Sequence, residues 1–161
     1  MAGLPADAVA RLQAAARAVR DGALDEAQRL LDGVLDAGPE HAEALRVAAI
    51  LHGRRGDAAR ACQTLERAIA LHPGDALLHS DLGNMRMALG DHEGAFAGWR
   101  RACQLAPDQA MPWFNLGRNL QLQGESHAAA EALATAHRLA PDFLPATVLL
   151  GDALAHLGRF D

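Results

Sequence analysis

Small and large apolar residues follow one another in a fixed order along this chain of 161 residues. Ala27, Ala61, Ala95 and Ala129 stand 34 residues apart, and each is followed four residues later by a large apolar side chain: Leu31, Leu65, Trp99 and Leu133. Residues four apart share one face of a helix, so the small member lets the larger one fill the space against a neighbouring helix. Five prolines (Pro5, Pro39, Pro73, Pro107, Pro141) and five glycines (Gly22, Gly56, Gly90, Gly124, Gly158) keep the same 34-residue interval. A glycine with positive φ closes a helix cheaply, and proline cannot continue one. Each interval therefore reads as two helices, the first ending at its glycine and the second two or three residues before its proline. This pattern predicts helices near 7–21, 25–37, 42–55, 58–71, 76–89, 92–105, 110–123, 126–139 and 144–157. The fold class is all-α, an α-solenoid of antiparallel pairs forming a single array over 8–41, 42–75, 76–109, 110–143 and a half repeat 144–161. In such an array each repeat is stabilised by its neighbours, which directs attention to an extended surface rather than one pocket.

The blocks resemble the tetratricopeptide repeat family, whose pattern sets a large residue, Leu-Gly and another large residue on the first helix, then Ala, an aromatic or Leu, Ala and Pro on the second. The block from Ala110 carries it through Trp113, Leu116, Gly117, Leu120, Ala129, Leu133, Ala136 and Pro141, and the block from Ala76 through Leu82, Gly83, Ala95, Trp99, Ala102 and Pro107. The resemblance implies a right-handed superhelix of about four and a half repeats and nine helices. Gly83, Gly117 and Gly151 fall mid-helix, where glycine costs about 1 kcal/mol against alanine, so another helix is expected to cross each of them closely. His52 and His79 occupy places the family fills with large apolar residues and are expected as half-buried packing groups rather than ligands. The leading block, with Arg11 and Ala14 at such places, is expected to act as a more polar cap.

Composition narrows the function. Alanine and leucine dominate the apolar half of the chain, which favours helix over strand. All fifteen basic residues are arginine, against twenty acids and a formal charge of −5. No concentrated basic face stands out, so nucleic acid is excluded as an expected partner. The doublets Arg54-Arg55 and Arg100-Arg101 read as solvated helix positions, the first complementing the helix dipole. Cys62 and Cys103 form no CxxC pair and read as buried thiols of a reducing compartment. No leader pattern and no apolar run near the ~18 residues of a membrane span is present, giving a cytoplasmic expectation without a membrane partner. The absence of lysine fits the biased codon usage of a GC-rich bacterium.

Catalytic and metal motifs are fragmentary. His92-Glu93 has no second histidine at helical spacing, and His41-Ala42-Glu43 is not followed by Pro-Cys-x-x-Cys. The eight histidines show no metal-ligand spacing, so the chain is read as non-catalytic, with no cofactor. By the family resemblance, the first helices line a concave groove. The peptide-binding residues it implies are Arg46, Ile50, Leu77, Ser80, Asp81, Asn84, Met111, Phe114, Asn115, Arg118 and Asp152. A carboxylate clamp is disfavoured, because Ser80, Pro145 and Leu149 stand where it needs positive charges to offset desolvation of the ligand carboxylate. Asn115 alone matches an asparagine ladder. The groove is read as taking a hydrophobic peptide or an amphipathic helix, and the protein as an interaction scaffold. Two alternatives are a substrate-presenting N-terminal arm of a larger enzyme (glycosyltransferase, sulfotransferase or hydroxylase) with its active site after Asp161, and a homodimer through helix 144–157.

Overall fold

The computed structural model describes residues 4–158, and among these nine helices and no strands are found. The chain divides into two compact units, the first reaching Ala95 and the second starting at Phe96. The first contains α1 (Ala6–Asp21), α2 (Leu24–Ala37), α3 (Ala42–Arg54), α4 (Ala58–Leu71), α5 (Ala76–Ala88) and the opening turn of α6 (His92–Leu105). The second contains the rest of α6, then α7 (Ala110–Leu122), α8 (Ser126–Leu139) and α9 (Leu144–His156). Every predicted helix is present, with ends displaced by one residue or none.

The punctuation works as the spacing implied. Gly22, Gly56, Gly90, Gly124 and Gly158 all adopt positive φ, between 65° and 83°. At each of these places a residue with a Cβ would be strained. The N-caps also recur: the Asp57 carboxylate accepts from the Arg60 amide and that of Asp91 from the Gly94 amide, both at 2.9 Å. These bonds satisfy donors that the first helical turn leaves unpaired.

In the first unit, α1, α2 and α3 enclose one core around Leu12, Val19, Leu31, Val34, Val47 and Leu51. The opposite side of α3 joins α4 and α5 in a second, around Leu45, Leu65, Leu78 and Leu82. In the second unit, Phe114, Leu133, Ala136, Ala146 and Ala153 from α7, α8 and α9 form a further core. The small-and-large series is realised throughout, since Ala27, Ala61, Ala95, Ala129, Leu31, Leu65, Trp99 and Leu133 are all completely buried. Within each unit, contacts join successive helices, and also α1 with α3, α3 with α5 and α7 with α9.

Two expectations about particular places meet different outcomes. An added Cβ at Gly117 would lie 2.7 Å from Leu133 Cγ, so α8 does cross α7 at this glycine. Gly151 is exposed, and nothing stands within 4 Å of an added Cβ. The crossing helix at this place is the second member of the same pair, and α9 has none among the described residues. The histidines behave as packing groups: His79 Nε2 bonds the carbonyl of Pro73 at 3.1 Å, as Trp113 Nε1 bonds that of Pro107 at 3.1 Å. Each therefore ties the first turn of its helix to the preceding proline turn. Burial lowers the basicity of the half-buried His52, with the nearby Arg60 acting in the same direction.

Candidate functional site

The first helix of each pair supplies the residues implied for binding, and the two units present them separately. In the first unit, Arg46 on α3 makes a bidentate pair with Glu43 one turn earlier, Nε to Oε2 at 2.7 Å and Nη2 to Oε1 at 2.8 Å. Its remaining Nη1 reaches across to Asp81 Oδ2 on α5 at 3.2 Å. The triad thus joins the first helices α3 and α5 of successive pairs. Glu43 is the main reason the Arg46 guanidinium is held charged even more firmly than usual, with Asp81 adding to it. Asp81 behaves differently. Burial pushes its carboxyl upward, and one long bond from an arginine already claimed by Glu43 offsets this only in part.

Around the triad, Ile50 is half-buried one turn beyond Arg46, Asn84 is half-buried on α5, and Leu77 is 40% exposed. Ser80 is buried, with only 5% of its surface accessible. Ile50 also belongs to a cleft of about 250 Å³ between α1 and α3, which Val19, Val47, Arg20 and Arg54 help to line.

In the second unit, Met111 is 49% exposed, and Arg118 and Asp152 are exposed. Phe114 and Asn115 are buried. Phe114 packs edge-on against Phe143, with ring centroids 4.9 Å apart, and carries the Arg118 guanidinium 5.8 Å above its ring. The carbonyl of Asn115 accepts a bond from Asn119 Nδ2 at 2.9 Å. Of the implied residues on α7, Met111 and Arg118 are therefore the exposed ones, with Phe114 buried beneath Arg118. Leu144 and Val148 on α9, the helix assigned to a second copy, are 71% and 61% exposed.

Sequence reasoning gave no site role to Arg20 or Arg54, although the two stand 34 residues apart and so at one place of the repeat. It also grouped Arg54 with Arg55, whereas Arg55 pairs with Asp25 Oδ1 at 2.8 Å and bonds the Leu24 carbonyl at 3.2 Å, fastening α3 to the start of α2. Both cysteines are buried free thiols. Burial pushes the Cys62 thiol up and that of Cys103 up to about 11, which leaves little thiolate for chemistry. Among the described residues, no group of three His, Cys, Asp or Glu could hold a metal ion, and no helix is long and apolar enough to cross a membrane.

The tetratricopeptide repeat model matches residues 14–76, 46–110 and 114–161. The chain belongs to the tetratricopeptide repeat family. Among curated proteins it is similar to protein O-mannosyl-transferase TMTC1 of mouse, 28% identical over 144 residues, and to that of human, 27% identical. These matches take in 87% of this chain but only 15% and 16% of those proteins' length. Among solved structures, MamA from Desulfovibrio magneticus RS-1 superposes with a TM-score of 0.74 at 20% identity, covering 98% of this chain and 89% of that one. Another MamA structure gives 0.73 at 24% identity, with coverage of 89% and 84%. PilF of Pseudomonas aeruginosa gives 0.83 at 20% identity, with coverage of 92% and 68%. These likenesses establish a shared fold.

Proposed function

We propose that the chain is a non-catalytic protein-interaction scaffold whose first helices bind a peptide or an amphipathic helix. The observation that carries the reading is the repetition of one exposed apolar side chain. Leu77 and Met111 stand 34 residues apart, at the same repeat place in the two units, and remain 40% and 49% exposed. Each has charged groups on the helix face beyond it, Arg46 and Asp81 in one unit, Arg118 and Asp152 in the other. Ile50 and Asn84 complete the first set above the buried Ser80, while the buried Phe114 and Asn115 underlie the second. Exposed leucine and methionine at helical intervals beside polar groups suit a bound helix face, methionine in particular adapting to varied partners. Buried free thiols support a cytoplasmic setting.

The test is a random peptide library displayed on phage and selected on the chain, with the tightest peptides measured by fluorescence polarisation. L77D and M111D alter exposed positions, so helicity and melting temperature should hold within a few degrees. Each is expected to weaken peptides bound at its own unit about tenfold, the equivalent of 1.4 kcal/mol. Unchanged affinity in both variants would remove the reading.

The likeness to TMTC1 over 87% of this chain favours a second reading, that the array is the arm of a larger enzyme which presents substrates to its active site. The codons following Asp161 decide it: a transferase domain in frame supports the arm, and an immediate stop ends it.

A further inference from the structure

In the first unit, Arg86 of α5 bridges the trough between the second helices α4 and α6. Its Cδ stands 2.8 Å from where a Cβ on Gly94 of α6 would lie, and its Nη2 pairs with Glu66 Oε1 of α4 at 3.0 Å. The chain's own side chain thus closes that trough. At the places 34 residues further on, all three members of the bridge are replaced: Leu120 stands for Arg86, Arg100 for Glu66 and Ala128 for Gly94. The floor is kept, with Leu116 for Leu82, and with Trp113 for His79, each bonded to the carbonyl of its preceding proline. Leucine is too short to span the walls and pairs with neither. The trough between α6 and α8 is therefore open, with a volume of about 400 Å³, and Leu120, Arg100 and Ala128 all line it. A hollow of about 290 Å³ beside Cys103 and Gln104 extends it, sharing Arg100, Trp113 and Leu116.

We propose that the trough between α6 and α8 is a second docking site, formed by second helices and so separate from the first-helix surface assigned above. Its occupant is a segment of a partner protein that carries an acid and a base on either side of an aliphatic residue. The charges of the walls decide this chemistry. Arg100 lies on the α6 wall, and Glu131 on the α8 wall replaces the Ala97 of the preceding block. Both are exposed, and their opposite signs mean that neither a wholly acidic nor a wholly basic segment satisfies the two walls together. An acid facing Arg100 and a base facing Glu131 do, and they also fix the direction in which the segment lies. Between them, the half-buried Trp113 and Ala128 offer apolar surface above the buried Leu116 and Leu120, which suits an aliphatic side chain. The partner thereby bridges the walls as Arg86 does in the first unit, with the charge on the α6 wall inverted.

The test is a displayed peptide library depleted on R100E/L120R/A128G, the variant that rebuilds the Arg86 bridge in the second unit, and then selected on the wild-type chain. A parallel depletion on R100E/E131R, which alters exposed positions only, leaves the buried Leu120 untouched. Surviving peptides should carry Leu, Ile or Val between an acid and a base. They should lose affinity about tenfold or more on R100E and on E131R, with wild-type helicity in both, and bind L77D and M111D as tightly as wild type. Exchanging the acid and the base within such a peptide should restore its binding to R100E/E131R. No survivor from either depletion, or survivors that bind R100E and E131R as tightly as wild type, overturn the inference. Survivors weakened by L77D or M111D instead overturn it while leaving the scaffold reading in place.

Discussion

Trp99→Ala is expected to lower the free energy of unfolding by about 4 kcal/mol, the upper range for truncating a buried aromatic. Trp99 is completely buried and meets Phe96 edge-on, with ring centroids 5.6 Å apart and planes at 89°. Its place in the repeat is the one Leu31, Leu65 and Leu133 fill elsewhere, and all four side chains are inaccessible to solvent. Alanine would leave a void that its neighbours can close only in part, since Ala95 and Ala102 on the same helix are already small and buried. Because packing in a repeat array is local, distant segments cannot share the loss. Urea titration followed by far-UV circular dichroism measures it, and a melting temperature lower by roughly 10 °C should accompany it. A loss below about 1 kcal/mol would show that the void closes, against the usual behaviour of cores.

The second large effect is a difference in sign between two identical substitutions. Gly117 and Gly151 occupy one place in successive blocks, and alanine in a helix interior gains about 1 kcal/mol over glycine. At Gly151 that gain should appear in full, because an added Cβ meets nothing within 4 Å. At Gly117 the same Cβ would stand 2.7 Å from Leu133 Cγ and 3.1 Å from the Leu133 backbone nitrogen. Leu133 is completely buried and the contact includes its Cγ and backbone rather than the far end of a flexible side chain, so α7 and α8 must separate. Overpacking of this kind costs about 1–3 kcal/mol, more than the propensity gain. Gly117→Ala should therefore destabilise by about 1–2 kcal/mol while Gly151→Ala stabilises by about 1 kcal/mol. Thermal melts of the two variants compare them directly, and shifts of the same sign would contradict the packing described.

These glycines show what a sequence of this kind reveals. Helix limits, turns and the alternation of small and large core residues depend on contacts inside one 34-residue block, and all were legible. Gly151 was not, because whether a helix crosses it depends on what packs against α9. The site was legible only as a set of places. Repeat position assigned Phe114 and Asn115 to the binding face, yet Phe143, the residue directly before α9, covers Phe114, and both residues are buried. Arg46 was identified without Asp81 as its partner, because their pairing needs α3 and α5 side by side. Arg20 and Arg54 went unassigned for the opposite reason: a helix-end arginine has a sufficient local explanation, and only the folded chain brings both to the cleft between α1 and α3.

The reading of the first helices as a binding surface is tested most directly by mapping amide chemical shifts as a library-selected peptide is titrated into the isotope-labelled chain. Perturbations should concentrate on α1, α3 and α5, around Arg46, Ile50, Leu77 and Asp81, or on α7 and α9, around Met111, Arg118 and Asp152. Perturbations confined to the second helices α2, α4 and α8 would place the ligand on the opposite face and contradict it.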